Sequence, residues 1–86
     1  MKVKYCVRIV ATNKCEHIYM HKRGTIPDGL PICTGFTFFD GDSEFTVADM
    51  EYDMKTGTLD LWKETIKTDQ IEEIASEYTK MGWKEQ

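Results

Sequence analysis

Asp49-Met50-Glu51-Tyr52-Asp53-Met54-Lys55-Thr56-Gly57-Thr58-Leu59-Asp60-Leu61-Trp62 reads as two alternating runs joined by a turn. Successive side chains of a strand point to opposite faces, so the register of this pair determines which residues lie together. A loop over 54–57 that pairs Asp53 with Thr58 gathers Ala48, Met50, Tyr52, Leu59 and Leu61 on one side. The other side then carries Asp49, Glu51, Asp53, Asp60 and Trp62, with Glu64 next along the chain. A slip of one residue would set the apolar side chains opposite carboxylates, so the apolar grouping selects the first register. Gly57 is expected at positive φ, a conformation that costs a residue without Cβ nothing.

Working outward, residues 2–11 alternate with Val3, Tyr5, Val7 and Ile9 on one face and Lys2, Lys4, Cys6 and Arg8 on the other. That is the pattern of a half-buried strand. Thr12-Asn13-Lys14 has turn composition, and 16–22 is expected to form the second strand of a hairpin, with Ile18 and Met20 inward and His17, Tyr19 and His21 outward. Residues 23–35 hold both prolines and three glycines and read as a long surface loop, with Pro27-Asp28-Gly29 as its turn. Long loops in compact domains often carry contacts, which makes 23–35 a second candidate binding surface. A short aromatic strand follows at 36–39, then a turn at 40–42 and a strand over 45–53.

Toward the other end, Asp69 and Glu72 have the spacing of a helix-capping pair. Ile71, Ile74, Ala75, Tyr78 and Met81 recur at helical spacing and form one apolar stripe. Gly82 suits the position just past a helix end, and Trp83 can fold back on Tyr78. The expected fold is α+β, an antiparallel β-sheet of four to five strands with one C-terminal α-helix packed on one face, in the order β-β-β-β-β-α.

A chain of 86 residues supports one core, so 1–86 is expected to be a single domain. An apolar fraction of 41% supports independent folding. The net charge of -4 opposes general affinity for nucleic acid or anionic lipid, because binding to phosphates runs on Lys and Arg. Stacking rings at Tyr19, Phe36, Phe38 and Phe39 would have only Lys2, Lys4, Arg8, Lys22 and Arg23 for phosphate contacts. Direct nucleic-acid binding is therefore not expected, and neither is membrane binding, since residues 1–5 lack the apolar core of a secretory signal and no run is long enough to span. Cys6, Cys15 and Cys33 form an odd set without C-x-x-C spacing, which suits free thiols and a cytoplasmic location.

The acidic sheet face is the most informative candidate site. Glu51 lies across from Asp60 in the expected register, and like charges directly opposite destabilise a sheet unless a cation is near. If the first strand lies beside this hairpin, Lys2, Lys4 and Arg8 supply that cation as surface ion pairs. Alternatively, Asp49, Glu51, Asp53, Asp60, Trp62 and Glu64 dock a basic protein surface, with Trp62 as anchor and Asp69, Glu72, Glu73 and Glu77 adding negative field.

Three other constellations are weaker. Asp40, Asp42, Glu44 and Glu51 occupy calcium-loop positions, but Phe45 stands where that loop needs Gly, so an acidic hairpin turn is the better reading. His17 and His21 lie roughly 13 Å apart on a strand at about 3.3 Å per residue, too far to share a zinc ion with Cys15 or Cys33. Cys15 beside His17, oriented by Glu16 or Asp28, has the residue types of a nucleophile and its base, yet no phosphate loop or nucleophile elbow accompanies them.

The expectation is thus a small non-enzymatic binding or regulatory protein, without metal or cofactor, whose partner carries a basic surface. One specialised form is an inhibitor that fills the basic groove of a nucleic-acid-binding protein, its carboxylates standing in for phosphates. The alternatives are a self-associating module that dimerises through an edge strand, and a small metal-binding or Cys/His enzyme.

Overall fold

The computed structural model describes residues 1–40 and 43–86. The elements are β1 (Lys2–Ala11), β2 (His17–Thr25), β3 (Thr37–Asp40), β4 (Ser43–Thr46), β5 (Asp49–Asp53), β6 (Thr58–Trp62), β7 (Ile66–Thr68), α1 (Ile71–Lys80) and β8 (Lys84–Glu85). The fold is α+β with a single C-terminal helix on the sheet, as the sequence predicts.

The main sheet has the order β5-β6-β1-β2-β8 and is mixed. β1 is its central strand because it alternates over its whole length and can pair on both sides. It is antiparallel to β2 from Lys2 opposite Thr25 to Val10 opposite His17, and parallel to β6 from Val3 opposite Leu59 to Cys6 opposite Trp62. Beyond Lys63, whose amide donates to the Cys6 carbonyl, the chain rejoins the same side of β1 as β7. The β5–β6 hairpin has the expected register, with Asp53 opposite Thr58, Glu51 opposite Asp60 and Gly57 at φ +67°.

One face of this sheet is covered. Val3, Val7, Ile9, Met20 and Leu61 point into a core completed by Ile71, Tyr78 and Trp83 from the helical end and by Phe45 and Val47. Ile9 and Leu61 are fully buried, the kind of side chain whose removal leaves a costly cavity.

Several boundaries differ from the sequence reading. β2 runs on to Thr25, so the loop begins later, because β1 is long enough to keep pairing with Arg23 and Gly24. The strand expected over 45–53 is two strands, broken at Val47-Ala48. β4 pairs with β3 in a separate two-stranded sheet, while β5 joins the main one. The break lets Phe45 stack on Trp83 at 6.3 Å and meet Tyr5 edge-on at 5.2 Å, filling the core beside the helix. The turn at Asp40-Gly41-Asp42, and with it the calcium-loop pattern, falls on 41–42, outside the described residues. β7 and β8 are too short to leave a periodic signal.

At the helix, Gln70 and not Asp69 is the N-cap, and no side chain caps it. The Thr68 hydroxyl instead accepts the Gln70 amide at 3.0 Å, while the Asp69 carbonyl accepts Asn13 Nδ2. Ile71 and Tyr78 are buried and Ile74 and Ala75 half-buried, but Met81 is 47% exposed since it lies past the last turn. The C-terminus closes as a Schellman motif. Trp83 N–H donates to Tyr78 O, Gly82 N–H donates to Thr79 O, and Gly82 sits at φ +92°. The Trp83 ring then meets Tyr78 edge-on at 5.0 Å.

Candidate functional site

Helix and small hairpin both pack on one side of the main sheet, and among the described residues no layer covers its other face. The registers align the residues of this face in rows. One row reads Asp49, Trp62, Cys6, His21, Lys84 from β5 to β8. The next reads Glu51, Asp60, Lys4, Arg23.

Four of the six expected site residues therefore meet as predicted, namely Asp49, Glu51, Asp60 and Trp62. Asp53 shares the face, but its carboxylate accepts the Lys55 and Thr56 amides at 2.8 and 3.4 Å and holds the turn. Glu64 lies beyond the end of β6 and lines a separate shallow cleft with Glu44, Thr46 and Ala48. The Asp49 carboxylate accepts the Met50 amide. Glu51 is exposed, and among the described residues its carboxylate has no hydrogen-bond or ion-pair partner.

β1 does lie beside the acidic hairpin, and the ion pair this allows is present. Lys4 Nζ stands 3.6 Å from Asp60 Oδ2, with both side chains about a quarter exposed at 23% and 24%. This pair relieves the repulsion between Glu51 and Asp60, and at such exposure it is worth roughly 0.5–1 kcal/mol.

The centre of the face is aromatic. Tyr19 meets Trp62 edge-on at 6.1 Å and His17 at 5.2 Å, and the Arg8 guanidinium lies 6.0 Å from the Tyr19 ring centre. Cys6, between Trp62 and His21 in its row, is completely buried even though it belongs to the polar alternation of β1. Burial, and then the charge of Asp60, push its thiol up to about 11, with Lys4 opposing the rise. Such a thiol is protonated at neutral pH and is not a nucleophile. His21 is held below the usual imidazole range, first by burial and then by the positive charges of Lys4, Arg23 and Lys84. Its Nδ1 and the Trp62 Nε1 are buried without a hydrogen-bond partner among the described residues.

Lys2, Lys4 and Arg8 are on this face as the alternation of β1 predicts, but Arg23 and Lys84 are not legible in the strand alternation of the sequence. The sequence puts Arg23 in the 23–35 loop and gives Lys84 no element, whereas β2 and β8 bring both beside His21. The signal available was the Gly82-Trp83 helix stop, which turns the chain back toward the sheet.

Elsewhere, Cys15 and His17 are exposed at the β1–β2 turn, and Cys33 is exposed in the 26–36 segment. Among the described residues no three His, Cys, Asp or Glu side chains are grouped to hold a metal ion, and no helix is long and apolar enough to cross a membrane. A second concavity of about 670 Å³ lies between β3–β4 and the end of the helix. Its walls are Tyr5, Phe38, Phe45 and Trp83, with Lys22 and Lys63 at the sides. Lys63 Nζ donates to the Tyr78 hydroxyl at 3.0 Å.

No family model, no curated protein and no solved structure matches this chain.

Proposed function

We propose that this chain is a non-enzymatic protein-binding module that docks its partner on the open sheet face. The observation that carries this reading is the uncovered face itself, where the Trp62–Tyr19 pair is flanked on the β5–β6 side by Asp49, Glu51 and Asp60. An aromatic anchor beside charges of one sign on a rigid sheet is the usual composition of a binding hot spot with electrostatic steering. Glu51 supports it further, because a carboxylate held across from Asp60 gains from an incoming cation. Basic side chains are thus the partner chemistry this half of the face selects. A regulator or inhibitor that occupies a basic groove is the specialised form of the same reading.

The test is capture of partner proteins from native extract by the immobilised chain. Trp62→Ala is expected to remove the captured species while the far-UV spectrum and cooperative melting persist. Undiminished capture by a folded Trp62→Ala variant would place the binding surface elsewhere.

A further inference from the structure

The open face changes sign across its width. Asp49, Glu51, Asp53 and Asp60 lie on β5 and β6, while Lys2, Lys4 and Arg8 lie on β1 and Arg23 and Lys84 on β2 and β8. The positive side also brackets His21, which feels Lys4, Arg23 and Lys84 together. The strands on either side of β1 are complements under one particular rotation, in which Lys2, Lys4 and Arg8 lie on the axis and Lys4 keeps its ion pair with Asp60 of its own chain.

We propose that the partner docked on this face is a second copy of the same chain, packed face to face about a two-fold axis that runs along β1. The inference rests on the docking reading above and adds the identity of the partner. Two in-plane axes are available to a face-to-face pair. An axis across the strands stacks β5 on β5 and sets carboxylates against carboxylates, which is repelled. An axis along β1 exchanges the two halves, so the acidic half of each copy meets the basic half of the other.

The registers specify the contacts. In the row through Lys4, Asp60 and Arg23 flank β1 on opposite sides, so Asp60 of one copy falls over Arg23 of the other. In the row through Cys6, Asp49 and Lys84 are both two strands from the axis and come to oppose each other. Trp62 of one copy lands on the His21 and Tyr19 side of the other, which puts rings against rings at the centre. Each contact is made twice, as an isologous interface requires. Two twisted sheets stacked with nearly aligned strands form an ordinary sandwich about 10 Å apart.

Area sets the strength. Five strands at about 4.8 Å spacing, with rows spanning about 25 Å, give on the order of 600 Å² per copy, near the lower bound of specific interfaces. The dimer is therefore one that dissociates on dilution, and sooner at high salt because its charged rim is screened.

The experiment is solution mass by sedimentation or light scattering from micromolar to millimolar chain, on wild type and two charge-reversed variants. Wild type is expected to rise from 10.0 kDa toward twice that value. Asp49→Lys/Asp60→Lys makes both members of each facing pair basic and Arg23→Glu/Lys84→Glu makes both acidic, so each alone is expected to remain monomeric. Mixed in equal amounts, the two are expected to form a heterodimer, since the 49–84 and 60–23 pairs are again opposite in sign. A wild-type chain that stays at the monomer mass overturns the proposal. So does a dimer that both reversals leave intact, which would place the contact at an edge strand. If wild type is monomeric and Trp62→Ala still loses a captured protein, only self-pairing fails, and the docking reading stands with a different basic partner.

Discussion

Cys6 and His21 sit side by side on the open face, and each has a titration displaced by burial. The Cys6 thiol, at about 11, is both covered and protonated, whereas Cys15 and Cys33 are exposed. Alkylation of the native protein at neutral pH is expected to label Cys15 and Cys33 quickly and Cys6 only after denaturation, as peptide mapping would show. For His21 the folded chain disfavours the proton more than the unfolded chain does. The unfolded state therefore binds more protons below the ordinary imidazole value of about 6.5, and stability falls as pH drops from there toward the folded value. His21→Gln is expected to flatten that part of the stability profile measured by denaturant melts, and an unchanged slope would contradict this. The alternation of β1 already places Cys6 among Lys2, Lys4 and Arg8 in the sequence. Its burial was not legible there, because it depends on Trp62 and His21 arriving from two other strands.

Turns and helix ends were legible wherever one residue type meets one backbone need. Gly57 and Gly82 both adopt the expected positive φ. Gly82→Ala places a Cβ at φ +92°, and the strain is expected to lower stability by about 1 kcal/mol, read as a shifted denaturation midpoint with the same slope. The β5–β6 register was legible because only one alignment keeps Leu59 and Leu61 with Met50 and Tyr52 on the apolar side. The strand break at Val47-Ala48 was missed although the apolar phase shifts there, from Phe45 and Val47 to Met50 and Tyr52, because a phase shift alone does not say that the chain changes sheet. The cap at Gln70 was missed for a similar reason. Asp69 and Glu72 have the right spacing, but Asp69 uses its carbonyl toward Asn13 and the helix starts one position later than that pattern requires.

The molecule as a whole is a mixed sheet with all of its core on one side. Residues that fill the core come from both ends of the chain, so neither face is finished until β1, β6 and the helix have met. What results is a core face whose composition was readable from alternation, and an open face whose acidic strands and β1 cations were readable and whose remaining positive charges, Arg23 and Lys84, came from the extension of β2 and from β8. Glu51 is the residue at which folding and docking make opposite demands: it faces Asp60 across the hairpin, and among the described residues its carboxylate has no ion pair. The decisive measurement is therefore paired melting and partner capture for Glu51→Lys. Capture is expected to be lost while the melting temperature holds or rises, because the new ammonium opposes Asp60 with the right sign. A fall in melting temperature with capture intact would mean that the acidic stripe serves the fold and not a partner.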